Sequence, residues 1–527
     1  MERNDRRARR TAAVAACTLP LVLLGAAGAA GPADAVAVAC SGVPKDINGD
    51  GFADLAIGEA GAGGGRVHVL YSTAAGVATQ PTADAPDDQI FQQGAGGVPG
   101  ANVAGDSFGA TTLLDDLDND GCADLAVGIP GNNAARGAVI VLFGSTTGIR
   151  TAGAEVFTQD DVEEGGARVD AQFGASLSAG DYNADGLRDL AVGSPFDSRF
   201  GVPGAGLVSV LYGTVDGLGA NNFISLAGQD SPGWPGASER GDQFGLALTT
   251  ADFTGDGIDD LAISSPGENA DAGIVYVSAG AAGQRLESRP GRIWSQDTAG
   301  VPGVMESGDF FGWSLAAGDI NGDGGADLVI GVPGENKGNG LVTTVLTDPA
   351  TRALSASRVK DLAQGRSGVT GAPATDDFFG NAVAVGNFDS DGFADLAVGT
   401  PNDWLGAHKR VGSVNLFKGT ATGPSVAGYG GTRLSQDSAG VPGGAETGDG
   451  FGALLATRRV QGGTLDSLVV AVPSETLGTK TNSGGVVVLR PSSSGLTGAG
   501  AQSFDPDTPG VDGGRWTKGF FGFSIDY

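Results

Sequence analysis

The chain has 527 residues, of which 94 are glycine and 2 are histidine, and its formal net charge is −30. So much glycine argues against a helical bundle, because glycine is unfavourable inside helices, and it suits short strands joined by tight turns. The acidic charge excludes a typical nucleic-acid-binding protein, since phosphate recognition needs a basic face, and it makes metal cations the obvious partners.

Residues 1–37 are predicted to be a signal peptide. The basic stretch RNDRRARR precedes the apolar run TAAVAACTLPLVLLGAAGAA, and small-residue cleavage patterns follow at 33–35 and 35–37. A membrane anchor is the alternative, but alanine and glycine dilute the apolar run, which is barely long enough to span a bilayer. The paired arginines leave Sec and twin-arginine export open. We therefore predict a secreted, extracellular protein with no membrane span after signal removal.

Two cysteines remain after the signal, Cys40 and Cys122. An even pair in an oxidising compartment is compatible with a disulfide. Two buried free thiols are the alternative, and the sequence leaves both open.

The dipeptide Phe-Gly recurs along the chain at a nearly constant interval, and a steady period of this kind indicates a repeat architecture. Its phenylalanines are Phe108, Phe173, Phe244, Phe311, Phe379, Phe451 and Phe521. The repeat therefore governs the prediction of the fold.

Each repeat contains four predicted strands. In the third repeat, FGASLSAG (173–180) is followed by the loop DYNADGLRD (181–189), the apolar strand LAVGSP and a third strand, GLVSVLYG (206–213). A weaker fourth strand ends near a Gln-Asp pair. Hairpins join the strands, so the sheets are antiparallel, and the apolar second strand suits packing on both faces. A linear solenoid and a string of separate modules are the alternatives, but one unit of about 68 residues buries too little surface to stand alone.

We predict an all-β, seven-bladed β-propeller of four-stranded antiparallel blades across residues 38–527. In the other repeats the loop starts eight residues after the phenylalanine, but no Phe-Gly precedes Asp46 and no loop follows Phe521. We therefore expect FGFSIDY (521–527) to supply the innermost strand of the first blade and close the ring. The predicted blades are 40–100 plus 521–527, 101–165, 166–236, 237–303, 304–371, 372–443 and 444–514.

Six repeats carry an aspartate-rich loop of nine residues after the first strand. Oxygen-bearing side chains stand at positions one, three, five and nine, glycine stands at position six, and position seven offers its backbone carbonyl. This arrangement resembles an EF-hand loop, and oxygen donors favour calcium over zinc or copper. The predicted ligands are Asp46, Asn48, Asp50, Phe52 and Asp54 (loop 1); Asp116, Asp118, Asp120, Cys122 and Asp124 (loop 2); Asp181, Asn183, Asp185, Leu187 and Asp189 (loop 3); Asp252, Thr254, Asp256, Ile258 and Asp260 (loop 4); Asp319, Asn321, Asp323, Gly325 and Asp327 (loop 5); Asn387, Asp389, Asp391, Phe393 and Asp395 (loop 6).

Three or four carboxylates in one short turn repel each other, so a cation is expected in each loop and up to six calcium ions in all, with a structural role. Thr254 and Asn387 weaken loops 4 and 6. The seventh loop, RVQGGTLDS (459–467, loop 7), has Arg459 at position one and Ser467 at position nine. We expect it to bind no calcium.

Phe-Gly followed by DLDNDGCADLAVGIPG or DINGDGGADLVIGVPG resembles the FG-GAP repeat of integrin α-subunit N-terminal propellers and their bacterial relatives. The resemblance covers essentially the whole chain after residue 40. It implies seven blades, with the metal loops on one face of the disc and the linkers between repeats on the other. No integrin leg or inserted domain is recognisable, so an integrin receptor as such is not implied.

Two function classes remain from the sequence. The first is a calcium-stabilised, non-catalytic binding or adhesion module; the second is a carbohydrate-active propeller, either lectin or polysaccharide lyase or hydrolase. Both would use the face opposite the loops for a protein or glycan ligand, and we expect a monomer that does not bind nucleic acid. No catalytic motif surrounds His68 or His408. A cluster of basic and aromatic residues at the centre of that face would favour the second class.

A tripeptide and five tryptophans on that face can each be interpreted in two ways, as part of a binding site or as part of the fold. Arg240-Gly241-Asp242 matches an adhesion tripeptide, but Gly-Asp is a regular part of the linkers, so we expect the match to be fortuitous. The tryptophans Trp234, Trp294, Trp313, Trp404 and Trp516 could stack on sugars, but we expect most to pack between blades.

Overall fold

The computed structural model describes residues 40, 42–82, 86–162, 166, 168–220, 224–286, 291–514 and 516–526. The predicted signal peptide lies outside these residues. The chain forms seven four-stranded antiparallel sheets, one per blade, which confirms the predicted β-propeller. Among the described residues, no helix has the length and apolar character needed to cross a membrane.

The four strands of each blade are hydrogen-bonded in chain order, except that the last strand of the chain joins the first blade. The first strands of neighbouring blades contact one another around the axis. From the inside outward, the strands are β30 (Phe521–Ile525), β1 (Leu55–Glu59), β2 (Arg66–Leu70) and β5 (Gln89–Phe91) in blade 1; β6 (Thr111–Asp115), β7 (Asp124–Gly128), β8 (Val139–Phe143) and β9 (Arg150–Phe157) in blade 2; β10 (Ser176–Gly180), β11 (Asp189–Ser194), β12 (Leu207–Leu211) and β13 (Ile224–Ala227) in blade 3; β14 (Leu248–Ala251), β15 (Asp260–Ser265), β16 (Ile274–Ser278) and β17 (Arg292–Trp294) in blade 4; β18 (Leu315–Gly318), β19 (Asp327–Val332), β20 (Leu341–Thr347) and β21 (Leu354–Leu362) in blade 5; β22 (Ala382–Gly386), β23 (Asp395–Thr400), β24 (Ser413–Phe417) and β25 (Arg433–Leu434) in blade 6; β26 (Leu455–Arg458), β27 (Ser467–Val472), β28 (Gly485–Leu489) and β29 (Gln502–Phe504) in blade 7.

The remaining elements are short and lie in connections. A two-stranded ribbon leaves blade 1, and the helical segments have three or four residues each. They are β3 (Ser72–Thr73), β4 (Gly76–Val77), α1 (Asn132–Ala135), α2 (Gln159–Val162), α3 (Glu268–Asp271), α4 (Glu335–Gly338) and two 3₁₀ turns, Ala62–Gly64 and Arg199–Gly201. Since α1, α3 and α4 each contain consecutive residues in the left-handed region, they are tight turns rather than regular helices.

The ring closes through β30, as predicted. This strand pairs antiparallel with β1, with Ile525 opposite Ile57. Beyond it, the Asp526 carboxylate forms a buried ion pair with Arg458 of blade 7 at 2.5 Å and accepts a hydrogen bond from the Leu114 N–H of blade 2 at 2.9 Å. The end of the closing strand therefore joins three blades.

Close packing between blades explains the Phe-Gly and LAVG patterns. The phenylalanine of all seven Phe-Gly pairs is fully buried, and the second strands are buried along their length. A Cβ atom on Gly128 would lie 2.1 Å from the Gly174 carbonyl oxygen, and the glycines at the same position in other blades meet the same obstacle. Glycine lets the backbones of adjacent blades touch in these five blades, whereas Ser264 and Ala471 hold the same position in blades 4 and 7.

The two cysteines form a disulfide between Cys40 and Cys122, which settles the open alternative. It joins the segment before loop 1 to position seven of loop 2. Next to it, the Ala123 N–H donates to the Asp46 carbonyl at 2.8 Å. Loops 1 and 2 are therefore connected by a covalent bond and by backbone hydrogen bonds.

Candidate metal loops and the opposite face

Loops 1 to 6 lie on one face of the disc, called the loop face, because each leads directly into the second strand of its blade at the end where the first strand finishes. In loop 1, the Asp46 carboxylate accepts hydrogen bonds from the N–H groups of Gly49 and Gly51, both at 2.7 Å. The position-six glycines have φ between 83° and 94°, a conformation that disfavours other residues. The chain thus wraps around its own first carboxylate, and the sharp turn lies at the predicted glycine.

The position-nine aspartate of each of these loops is fully buried and holds the loop to the rest of its blade. Asp54 accepts from the Ile47 N–H at 2.9 Å within the loop and from the Ser72 N–H at 2.8 Å beyond the third strand. The equivalent residues are Asp124, Asp189, Asp260, Asp327 and Asp395, and each makes the same two kinds of contact.

Burial changes the titration of these aspartates. It raises the pKa of Asp124 to about 8, to which the Asp118 charge also contributes, and it raises the pKa of Asp189 to about 7. A buried carboxylate whose charged form is this unfavourable requires a proton or a cation to neutralise it.

Loop 2 has the most metal-like geometry. The ligand oxygens of Asp116, Asp118 and Asp120 all lie within 4.8 Å of one another. Among the described residues, no other of these loops brings three carboxylates so close. Arg150, about half exposed, approaches Asp118 at 3.7 Å and Asp120 at 3.6 Å from the side.

In loops 1 and 5, amide or hydroxyl groups bond to the loop carboxylates. The Asn48 amide donates to Asp50 at 3.2 Å in loop 1. In loop 5, the Asn321 amide donates to Asp327 at 2.8 Å and the Thr347 hydroxyl donates to Asp323 at 2.9 Å. A calcium ion at these places would require the amides to turn and present their oxygens.

Loop 6 contains a cation from the protein itself. The Lys418 ammonium, just beyond β24, bonds to Asp389 and lies 3.0 Å from Asp391. Hydrogen bonding to Asp389 raises the pKa of Lys418, so the side chain stays charged. The sequence prediction treated loop 6 only as a weakened calcium site and missed this lysine.

Loop 7 has a third arrangement. Arg459 bonds to Asp466 at 3.1 Å on the surface, and Asp466 is also held by the Asn387 N–H of loop 6 at 2.8 Å. Ser467 occupies the buried ninth position. The arginine therefore pairs with an acid of its own loop.

The innermost strands surround a central cavity of about 530 Å³. Alanine, leucine, serine and threonine side chains form most of its lining, and Trp313 and Phe523 are the aromatic members, with 39% and 46% exposure. No titratable side chain belongs to its described lining. The aromatic part of the predicted cluster is present, and the basic part is absent from these lining residues.

The five tryptophans divide between interior and surface. Trp234 and Trp294 are buried, Trp516 lies under the Arg66 guanidinium at 4.0 Å, and Trp313 and Trp404 are exposed. Trp234 and Trp294 belong to apolar clusters shared by two blades, as expected, whereas Trp313 and Trp404 are exceptions. Trp313 directly follows a Phe-Gly pair, so it stands just before an innermost strand and lines the central cavity.

The tripeptide 240–242 is not presented as an adhesion ligand. Asp242 is fully buried, and its carboxylate accepts the Glu239 N–H at 2.5 Å. An adhesion receptor needs this carboxylate exposed, so the match is structural.

The two histidines have different surroundings. His68 is buried with its Nε2 3.1 Å from Glu59 Oε2, and burial lowers the pKa of His68. His408 lies in an exposed turn. Neither lines the central cavity.

The face opposite the loops, called the linker face, contains a regularity that the sequence analysis missed. A buried glutamine that ends one blade donates its amide N–H to an acidic side chain at a fixed distance along the chain, in the next blade. The pairs are Gln229 with Glu268, Gln296 with Glu335, Gln364 with Asp403 and Gln436 with Glu475. The fixed spacing was visible in the sequence, but only the folded chain shows that these residues meet.

Comparison with known proteins identifies the repeat. The FG-GAP repeat model matches residues 42–70, 108–142, 173–211, 244–278, 311–345 and 379–409. The six matches include loops 1 to 6 and stop before loop 7.

Curated relatives include phosphatidylinositol-glycan-specific phospholipase D of Homo sapiens, 34% identical over 188 residues, and integrin alpha-5 of Xenopus laevis, 31% identical over 236 residues. The alignments cover 34% and 43% of this chain, but only 21% and 20% of those relatives. Among solved structures, rhamnogalacturonan lyase YesW aligns over 83% of this chain and 82% of its own, with 12% identity and a TM-score of 0.36, which is too low to support any inference. The repeats and these relatives together show that the chain is an FG-GAP repeat protein with an integrin-like β-propeller.

Proposed function

We propose that this protein is a secreted, calcium-stabilised propeller that acts as a non-catalytic binding module through its linker face. The observation that carries the binding role is the central cavity, where exposed Trp313 and Phe523 stand beside small apolar and hydroxyl side chains. Exposed aromatic rings at a concave site favour binding of a ligand.

Loop 2 supports the calcium part of the proposal. Its three convergent carboxylates are the hard oxygen donors that calcium prefers, and Asp116, Asp118 and Asp120 would hold the ion. Bound ions would stabilise the fold by fixing the hairpins of the loop face.

A carbohydrate ligand is the second candidate, because an aromatic ring such as Trp313 offers a flat apolar surface to a sugar. The cavity favours a lectin over a lyase or hydrolase, since its described lining supplies no general acid or base. Catalysis would therefore need residues outside this lining.

Screening the secreted protein on a glycan array, together with pull-downs from extracellular matrix extract, tests the binding role. We expect a ligand whose affinity falls at least tenfold in Trp313→Ala and is unchanged in Trp404→Ala, a matched exposed tryptophan away from the cavity. Equal affinity in both variants would contradict the central site. Conversion of a bound glycan to product would contradict the non-catalytic role.

A further inference from the structure

Three blade interfaces of the linker face share one set of four residues. In chain order, each set consists of a glutamine, a glutamate, an aspartate and a second glutamate, and the spacing between them is the same in all three sets. The sets are Gln229, Glu239, Asp242 and Glu268 (set A, blades 3 and 4); Gln296, Glu306, Asp309 and Glu335 (set B, blades 4 and 5); Gln436, Glu446, Asp449 and Glu475 (set C, blades 6 and 7).

Set C shows the closest convergence. One ligand oxygen from each of Glu446, Asp449 and Glu475 lies within 4.8 Å of the other two. Asp449 is 1% exposed, and one of its oxygens accepts the Glu446 N–H at 2.5 Å. Glu446 is exposed, so the set opens to solvent on one side.

The glutamine is a second observation that points to a ligand. Gln436 is 4% exposed, and its amide nitrogen lies 2.5 Å from the Glu475 carboxylate, so the amide group points into the set. Its carbonyl oxygen is buried without a hydrogen-bond partner among the described residues, as are those of Gln229 and Gln296 and, at the interface of blades 5 and 6, that of Gln364. In set A, one oxygen of the fully buried Asp242 also lacks such a partner. Unpaired buried oxygens are unfavourable unless a donor or a cation reaches them.

The charges of these sets are not balanced by lysine or arginine. Among the described residues, neither type forms an ion pair with any acid of sets A, B or C. The interface of blades 5 and 6 shows the contrast: Ala374 replaces the first glutamate, and Arg433 forms an ion pair with Asp403. Where one acid is missing, an arginine neutralises the site, and where all three are present in the described structure, no lysine or arginine does.

We propose that set C binds one divalent cation, calcium by the hardness of its donors, and that sets A and B are sites of the same kind. The carboxylates of Glu446, Asp449 and Glu475 would supply three ligands. A half-turn of the Gln436 amide would present its unpaired carbonyl oxygen as the fourth, and water reaching the open side would complete the coordination. These sites are on the opposite face from loops 1 to 6 and do not depend on whether those loops bind metal.

Crystals of the full secreted chain soaked in terbium or manganese test the proposal directly. We expect anomalous peaks between Glu446, Asp449 and Glu475, and at the equivalent places in sets A and B, with none beside Ala374. Occupied loop sites with no peak at set C would overturn the proposal. Peaks in sets A to C with empty loops would leave it standing and count against the proposed calcium role of the loops.

A matched pair of variants tests the ligands in solution. Asp449→Asn in set C and Asp377→Asn at the compensated interface change the same position, and each aspartate accepts one backbone N–H from the residue three places before it. We expect Asp449→Asn to lower the number of calcium ions per chain by one in equilibrium dialysis, and Asp377→Asn to leave it unchanged. Glu446→Gln changes an exposed position and serves as the test if Asp449→Asn fails to fold. It should lower the affinity for the same ion at least tenfold. An unchanged count and affinity in both set C variants would refute the site.

Discussion

Loop 2 and loop 6 occupy equivalent places in their blades but are neutralised differently. Loop 2 gathers three carboxylates, and the exposed Arg150 lies at its side, 3.6 Å away. In loop 6, Lys418 places its ammonium on Asp389 and Asp391. Phe143 holds the place of Lys418 in blade 2, and Asp116 holds the place of Asn387, so the two loops differ in a cation at the end of the third strand and in one carboxylate.

From this difference we expect fewer bound ions than aspartate-rich loops. The Lys418 ammonium is part of the chain, whereas the occupancy of a calcium site depends on the free calcium concentration. We expect loop 6 to be independent of calcium and loop 2 to depend on it.

Removing all calcium should have the largest effect on stability. Each site held at a hundredfold excess over its Kd contributes about 2.7 kcal/mol to the free energy of unfolding. Excess EGTA should therefore lower the Tm by roughly 10 °C or more when several loops lose their ions. Differential scanning calorimetry measures it, and an unchanged Tm would mean that hydrogen bonds alone hold all the loops.

Asp118→Asn in loop 2 and Asp391→Asn in loop 6 compare the loss of one carboxylate in two equivalent loops. Asp118→Asn should remove one ion per chain and lower the free energy of unfolding by about 2 kcal/mol in saturating calcium, because a convergent carboxylate is lost. Asp391→Asn should leave the ion count unchanged, since Lys418 already neutralises that loop. Equal ion loss in the two variants, measured by equilibrium dialysis, would show that loop 6 is a calcium site after all.

Lys418→Met should convert loop 6 into a calcium-dependent loop like loop 2. Without the ammonium, we expect a loss of about 1–2 kcal/mol in EGTA, because Asp389 is buried and loses its partner. Calcium should restore the stability and add one ion per chain. Lys409→Met, at a lysine that contacts Trp404, serves as the control. A variant with wild-type stability in EGTA would refute the stabilising role of Lys418.

Arg150→Gln should have the smallest effect. This exposed guanidinium competes weakly with an ion in loop 2, so its removal should tighten calcium binding there by about two- to fivefold, in line with the modest energy of surface ion pairs. The gain should shrink at high salt, since exposed charges are screened. Isothermal titration at two salt concentrations measures both, and weaker binding would mean that Arg150 helps to position the carboxylates.

The repeat made the architecture predictable. The spacing of Phe-Gly, the apolar second strands and the missing first strand before Asp46 were enough for the blade count and the ring closure. Local patterns also located the turn that wraps around Asp46, because position six demands glycine.

The details that distinguish the loops were not predictable in the same way. Lys418 lies well beyond Asp389 in the chain, and only the hairpin register brings the two side chains together. The exposure of Trp313 follows from its place at the ring axis, which a single repeat does not reveal. The glutamine and acid pairs join different blades, so their regular spacing has a structural meaning only once the ring is closed.

The pairing of β30 with β1 also determines the order in which the molecule can be completed. Ile57 and Ile525 meet although the strands of six other blades lie between them in the sequence, so blade 1 acquires its inner strand only after those six blades have been synthesised. Until then, the inner edge of β1 exposes unpaired backbone groups that invite pairing with other chains. Contacts of such long range form slowly. We expect blade 1 to be the first blade synthesised and the last one completed. The growing chain should be most prone to aggregate after β1 has been made and before β30 pairs with it.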